Sequence, residues 1–364
     1  MRFYQTLASV ACLAIGVQAH LPVHARNNDH LTVALDRVTG QPTKVNVSIT
    51  NNGASDMSLL KIGTILDERP VKKLTLIDES QNEVSFKGIG LELYYDALKA
   101  DHFRKLSSGS SIYRIVDLAT THDLKPGTYS VYAEGNLPSA FGDSGKPISL
   151  SFKSEAISIK VTKVSSAEVT QKVSKRTIMQ NETCTPEQLE ATVNSVKNCE
   201  VLARAAAKDA SDVSSDRFVE FFKSNETSAR ELVTGRLLAV AEECSSPSSG
   251  NTRIQCKDEF GYCESNGPLI AYTTWVNGWV TMCPLFYDTL PAVPQKCHKQ
   301  DQASTTLHEM THARAVYEEV AATGDYAYSY PNVTALDPLT CLYNADSYSL
   351  YANAVYLDCE VLLP

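Results

Sequence analysis

The chain has 364 residues, of which 43% are hydrophobic and 21% are charged, and its formal net charge is −9. This length is sufficient for two or three domains, and the composition excludes wholesale disorder. The acidic balance, with no basic stripe in the C-terminal half, gives no support for a nucleic-acid partner.

The N-terminus predicts an export signal. Arg2 is followed by an apolar run over residues 7–17 and by a small-residue cleavage pattern that ends at Ala19. A membrane-spanning helix would need roughly 18–20 apolar residues, which is longer than this run. We therefore predict that residues 1–19 are a signal peptide and that the protein is secreted, without a membrane partner.

The next part of the chain, up to about residue 163, has the pattern of a β-rich domain. Turn sequences rich in Asn, Gly and Pro separate short segments in which apolar and polar residues alternate. Four such segments are residues 31–35, 44–49, 129–133 and 148–152. The pattern predicts a sandwich resembling the immunoglobulin type and indicates no chemistry of its own.

A basic pair, Lys175-Arg176, follows this region in a polar stretch. Its place before the first cysteine of the C-terminal half predicts cleavage after Arg176 by a processing protease of the secretory pathway. Net charge changes at the same point. Residues 177–364 hold 25 Asp and Glu against 12 Lys and Arg, a formal −13, whereas residues 1–176 carry +4. This asymmetry fits a basic N-terminal part docked on an acidic C-terminal part.

The C-terminal half has a different character. Residues 187–207 and 217–241 have helical spacing, and residues 270–275 have the composition of a strand in a small sheet. Nine of the 10 cysteines lie between Cys184 and Cys359. Cysteines confined to one half in this way predict disulfides formed in an oxidising compartment.

One motif carries the chemistry. In His308-Glu309-Met310-Thr311-His312 the two histidines are four residues apart, so a helix places both imidazoles on one face, able to bind one tetrahedral ion. Glu309 lies beside them, where it can take a proton from metal-bound water and later deliver it to the leaving amine. The motif predicts a zinc peptidase with one Zn²⁺, which uses metal-activated water.

The third zinc ligand distinguishes the classes of such enzymes. The residues directly after His312 supply neither the glycine nor the third histidine of a metzincin. Glu318 and Glu319 are too near His312 to fold back onto the ion, and Glu360 lies in the terminal tail.

Residues 322–329 read Ala-Thr-Gly-Asp-Tyr-Ala-Tyr-Ser. Here the sequence resembles the deuterolysin family of fungal metalloendopeptidases, the aspzincins, in which HExxH is followed by Gly-Thr-x-Asp-x-x-Tyr-Gly. Thr323, Asp325 and Tyr328 match this pattern, whereas Ala322 and Ser329 replace its glycines. The resemblance extends through residues 344–348 and most of the cysteine spacing, and covers essentially residues 177–364.

The resemblance implies that His308, His312 and Asp325 bind zinc, that Glu309 is the general base and that Tyr328 donates a hydrogen bond to the oxyanion. Asp346 is the alternative third ligand. We favour Asp325, because metal-bound histidines commonly need a second carboxylate as an outer partner.

By family likeness and spacing, three disulfides are expected: Cys184–Cys256, Cys263–Cys283 and Cys297–Cys359. Cys199 and Cys244 lie near the ends of helical stretches and could pair, which would leave Cys341 free. Sequence alone does not determine this connectivity.

The sequence thus predicts a multidomain preproenzyme: signal peptide 1–19, β-sandwich-like propeptide 20–176 and α-rich α+β zincin-type catalytic domain 177–364. We expect a secreted, monomeric endopeptidase whose partners are its own propeptide, the processing protease and protein substrates. The acidic C-terminal part and the deuterolysin likeness both favour basic substrates.

Two alternatives remain. The first is a catalytically inactive secreted binding protein on a protease scaffold, against which the intact Glu309 speaks. The second is an aminopeptidase, although no feature of the sequence suggests a site for a free amino terminus.

Overall fold

The computed structural model describes residues 30–140, 147–167, 178–179, 181–246, 250–264 and 267–362. The predicted signal peptide, residues 1–19, and the predicted processing pair, Lys175 and Arg176, lie outside these ranges. Among the helices of the described ranges, none is both long enough and apolar enough to cross a membrane.

The N-terminal part is built from β-strands, with short 3₁₀ turns at Tyr95–Ala97, Ala100–His102 and Leu118–Thr120. Its strands in the described ranges are β1 Leu31–Arg37, β2 Lys44–Asn51, β3 Met57–Leu60, β4 Thr75–Ile77, β5 Ile89–Leu93, β6 Phe103–Leu106, β7 Ser111–Asp117, β8 Gly127–Tyr132, β9 Glu134–Ala140, β10 Pro147–Lys153 and β11 Ile157–Val161.

Three antiparallel sheets surround the core of this part, with strand orders β1-β2-β7, β10-β9-β3-β6 and β11-β8-β4. Alternation along β2 explains the packing, because Val45, Val47 and Ile49 are buried while the residues between them are only half-buried. The β-rich character predicted for this region is confirmed, and the immunoglobulin-like arrangement stays a prediction.

The C-terminal part is mainly helical, as predicted. Its described elements are β12 Ile178–Met179, α1 Pro186–Ser211, α2 Asp216–Phe222, α3 Thr227–Ser245, β13 Arg253–Gln255, β14 Leu269–Thr274, β15 Trp279–Met282, α4 Pro284–Thr289, α5 Gln302–His312, α6 Tyr330–Val333, α7 Pro338–Leu342 and α8 Ala345–Tyr356, with a 3₁₀ turn at Asn181–Thr183.

The helical stretch predicted over residues 217–241 is divided into α2 and α3. Lys223 adopts a left-handed conformation with φ 52° and ends α2, which redirects the chain before α3 begins. The separation lets Phe218, Phe221 and Phe222 turn inward, where all three are fully buried beside Tyr351 of α8.

A five-stranded sheet joins the two parts of the chain in the order β12-β13-β15-β14-β5. Strand β5 comes from the N-terminal part, yet it pairs antiparallel with β14, with Leu91 opposite Tyr272. Helix α5 packs against both β14 and β5. The site residues on α5 therefore face the junction between the two parts of the chain.

Disulfides tie the C-terminal part together. Cys184–Cys256, Cys263–Cys283 and Cys297–Cys359 form the pairs that the resemblance implied, and Cys199 pairs with Cys244 between α1 and α3. The buried Cys341 is the free cysteine among the described residues.

Candidate metal centre

Helix α5 positions the central residues of the site. Its first turn is capped by Asp301, which accepts a hydrogen bond from the Ser304 amide at 2.9 Å. All of its residues from Gln302 to His312 are buried, so the helix is fixed on every side. His308 and His312 lie one turn apart and their rings meet edge to face, with centroids 4.8 Å apart.

Three atoms converge beside this helix. The Nε2 atoms of His308 and His312 are 3.1 Å apart. Asp325 Oδ1 lies 3.3 Å from Nε2 of His308 and 3.2 Å from Nε2 of His312. These atoms form a nearly equilateral triangle, and they are brought together from α5 and from the loop that follows it.

The far nitrogen of each ring has its own partner. Nδ1 of His308 lies 2.9 Å from Asp346 Oδ1, and Nδ1 of His312 lies 2.9 Å from the carbonyl oxygen of Thr323. Each of these oxygen acceptors requires a proton on Nδ1. The Nε2 atom of each ring is then unprotonated, and its lone pair points into the triangle. Asp325 and Asp346 thus contact His308 on opposite sides.

The triangle fits a zinc ion. Tetrahedral zinc with ligand distances of about 2.0–2.1 Å requires ligand atoms about 3.3–3.4 Å from one another, close to the observed spacing. Asp325 Oδ1 is also buried without a hydrogen-bond partner among the described residues, as suits an oxygen meant for a cation. Although burial opposes its ionisation, a proton on the His312 or His308 ring lowers the pKa of Asp325 well below its usual range, and a cation in the triangle would act in the same direction.

Glu309 is fully buried beside the triangle. Its Oε2 accepts a hydrogen bond of 2.6 Å from Thr273 Oγ1 of β14, and its Oε1 has no partner among the described residues. Burial raises the pKa of Glu309 to about 8; a cation held by the two histidines would act in the opposite direction. One oxygen is thereby fixed and the other is available for proton transfer.

The loop that carries Asp325 and Tyr328 is held from α8. Asn344, just before α8, accepts hydrogen bonds from the amides of Tyr326 and Ala327 through its Oδ1, at 2.9 and 3.0 Å. The Tyr328 hydroxyl donates to the carbonyl oxygen of Leu91 at 3.0 Å, and that oxygen lies 3.3 Å from Nε2 of His308. The predicted residues are thus brought together on one side of α5.

Glu92 of β5 approaches the same histidine. Its Oε2 lies 2.6 Å from Nδ1 of His308, and with Glu309 these residues form a second group of possible metal ligands. Among the described residues Oε2 nevertheless has no hydrogen-bond partner, and the acceptor aligned with Nδ1 is Asp346 Oδ1. The second group therefore offers no free histidine nitrogen, and the triangle with Asp325 is the better site.

Sequence reasoning missed several of these contacts. Thr273 fixes Glu309, and the Trp275 ring lies parallel to that of His312 with centroids 6.0 Å apart. Both residues fall in the strand segment predicted over 270–275, but no motif marks their roles. The approach of β5 has no signal in the sequence.

Known proteins resemble this chain over nearly its whole length. The family model described as "Deuterolysin metalloprotease (M35) family" matches residues 1–359. A neutral protease 2 homolog of Botryotinia fuckeliana is 39% identical over 364 residues, covering 99% of this chain and 100% of that protein. Penicillolysin of Penicillium citrinum is 34% identical over 360 residues, covering 99% and 100%. Neutral protease 2 of Aspergillus oryzae is 34% identical over 358 residues, covering 97% and 99%.

Proposed function

Because this chain belongs to the deuterolysin metalloprotease family and is a zinc-dependent metalloendopeptidase, we propose that His308, His312 and Asp325 hold its zinc. The observation that carries this assignment is the triangle of Nε2, Nε2 and Oδ1, with separations of 3.1, 3.3 and 3.2 Å. Asp346 acts on the outer side of His308, where it orients the ring.

The chemistry follows from the groups around the triangle. When bound, zinc supplies a Lewis acid and lowers the pKa of a coordinated water to about 7. Glu309 is the general base, and its Oε1 takes the proton because Oε2 is held by Thr273. The same carboxyl then delivers that proton to the leaving amine.

Two aromatic residues complete the site. The Tyr328 hydroxyl already donates to a peptide carbonyl, that of Leu91, and would donate in the same way to the oxygen of a substrate as negative charge develops. Trp275 covers one side of His312 and keeps water away from that face of the ring.

The wider biology belongs to the same proposal. We infer secretion after removal of residues 1–19, maturation by cleavage after Arg176 and a monomeric catalytic domain of residues 177–364 that prefers basic substrates. The four disulfides support secretion, because disulfides form in oxidising compartments. The formal charge of −13 over residues 177–364 supports the preference for basic substrates.

The decisive experiment removes one oxygen of the general base. The full chain is expressed, allowed to mature and assayed on a basic protein with and without a metal chelator. Glu309→Gln should retain zinc, measured by atomic absorption, and lose at least about 100-fold in turnover, because general acid–base catalysis contributes about 10²–10⁴-fold.

The matched control is Glu318→Gln, the same substitution at an exposed position nearby, which should leave activity and zinc content unchanged. Full activity of Glu309→Gln, or full activity in the presence of the chelator, would show that the assignment is wrong. Zinc retention without turnover in the parent chain would instead favour the inactive binding protein.

A further inference from the structure

Strand β5 forms one edge of the five-stranded sheet β12-β13-β15-β14-β5. It pairs antiparallel with β14 over Ile89–Leu93, so that Gly90 lies opposite Thr273 and Ile89 opposite Thr274. Adding an extended segment to a sheet edge is a general way in which proteins bind peptides. Here the added segment comes from the part of the same chain that precedes residue 176.

The backbone of Leu91 reaches the candidate metal centre. Its amide donates to Asp325 Oδ2 at 2.8 Å. Its carbonyl oxygen accepts from the Tyr328 hydroxyl at 3.0 Å and lies 3.3 Å from Nε2 of His308. That carbonyl therefore contacts both a candidate zinc ligand and the candidate oxyanion donor.

We propose that Ile89–Leu93 is a built-in substrate mimic, which fills the peptide groove along β14 and keeps the uncut chain latent. The Leu91 carbonyl takes the place of the carbonyl that is attacked in a substrate, so the Leu91–Glu92 peptide bond lies over the site. This inference rests on the proposed function, since it assigns the regulation of the same zinc site.

Gly90 explains why the mimic blocks the site. A Cβ at this position would lie 2.6 Å from Cδ2 and 2.7 Å from Nε2 of His312. These distances are shorter than the contacts that Cβ atoms make in folded proteins. Strand β5 thus lies deeper against α5 than a peptide with a side chain at that position can lie. A substrate must therefore bind further out than the mimic, in a position that leaves room for water.

Side chains on both faces of β5 hold it in place. On the face toward α5, Glu92 Oε1 accepts a hydrogen bond of 2.8 Å from Gln300 Nε2. On the opposite face, apolar residues of both parts of the chain form one buried cluster. Its buried members include Leu60, Leu91 and Leu93 from the N-terminal part and Leu269 and Tyr272 from the C-terminal part. The mimic is thus anchored independently of the backbone contacts at the centre.

The test uses the full chain carrying Lys175→Ala and Arg176→Ala, with intact mass verifying that it stays uncut. In this background Gly90→Ala should push β5 off the groove. Hydrogen exchange in the fragments that contain β5 and β14 should become at least roughly ten-fold faster, and cleavage of a short quenched peptide should increase at least roughly ten-fold. The matched control is Gly127→Ala, where a Cβ would meet nothing within 4 Å; it should behave as the uncut parent.

A second measurement avoids the risk that Gly90→Ala misfolds. Exchange in β14 is compared between the uncut parent and the matured chain after removal of residues up to 176, and it should accelerate on maturation. Unchanged β14 exchange on maturation would overturn the proposal, as would an uncut parent that cleaves the peptide as fast as the mature chain. A failure of the proposed zinc chemistry would abolish peptide cleavage in every variant and in the Glu309→Gln assay, whereas exchange is independent of catalysis and would still decide the proposal.

Discussion

At the scale of single residues, Ser329 has a backbone conformation that favours glycine. Its φ is 64° and its ψ is 151°, a region that residues with a side chain adopt at a cost of about 1–3 kcal/mol. It follows Tyr328 directly, at a position where the deuterolysin pattern has glycine. Ala322 stands at the other position where the pattern has glycine, but it is not among the non-glycine residues with positive φ. Only Ser329 therefore carries backbone strain.

We expect Ser329→Gly to raise the free energy of unfolding by about 1 kcal/mol, or Tm by roughly 3 °C, since glycine removes the strain. Thermal unfolding monitored by circular dichroism measures it. Ser329→Ala is the control, because it keeps a Cβ at the same φ and loses only the contact of Oγ with Asn332. Equal midpoints for the two variants would contradict the explanation.

A buried histidine makes the N-terminal part sensitive to acid. His122 is 3% exposed, and its Nδ1 lies 3.0 Å from Thr121 Oγ1 and 3.3 Å from the Leu118 carbonyl oxygen. Burial lowers the pKa of His122 from 6.5 to about 4. The folded state therefore favours the neutral ring, and the stability this contributes is present above pH 6.5 and is lost as the pH falls toward 4.

For the uncut chain, the loss should be about 2–3 kcal/mol between pH 7 and about pH 4.5, because one pKa unit corresponds to about 1.4 kcal/mol. Urea unfolding at the two pH values measures this loss in the free energy of unfolding, with a signal that reports on the N-terminal part. His122→Gln should reduce the pH dependence by that amount, whereas the same change at the partly exposed His102 should preserve it. An identical slope in His122→Gln would refute the assignment.

At the scale of elements, the local sequence pattern was sufficient to predict much of the secondary structure of the C-terminal part. The four-residue spacing of His308 and His312 requires a helix, and α5 is that helix. The segment predicted over residues 270–275 is β14, shifted by one residue. These predictions succeeded because each depends only on residues within the element, namely the helical spacing in α5 and the β-branched and aromatic composition of β14.

Other elements could not be predicted, because distant contacts determine them. The separation of α2 from α3 depends on Lys223 adopting φ 52°, and no glycine marks that position. Strand β5 meets the site across 217 residues of sequence, the separation between Leu91 and His308. Local periodicity cannot report a pairing of this kind, and the same holds for Thr273 against Glu309, 36 residues apart.

At the scale of the whole molecule, the charge is divided between the two parts of the chain. With a formal −13 over residues 177–364, the matured enzyme should attract basic proteins over long range. Cleavage of a basic protein should slow by roughly 3–10-fold as salt rises from about 0.02 M to about 0.3 M, because the Debye length shortens to below 10 Å.

The control for this prediction is an uncharged quenched peptide, whose cleavage should change little over the same range of salt. Initial rates at substrate concentrations well below KM give the comparison directly. A basic protein that is cut no faster than a neutral one, with no dependence on salt, would contradict electrostatic enrichment.

The position of β5 in the sheet also bears on how quickly the enzyme becomes active after it is cut. If the chain is cut after Arg176, as proposed, the pairing of β5 with β14 is not itself cut, and one molecule becomes two that are still bound. Activity must then increase with dilution, because the tethered mimic loses its high effective concentration. If the protein is secreted, as proposed, the extracellular medium would supply that dilution, and export would act as the second step of activation.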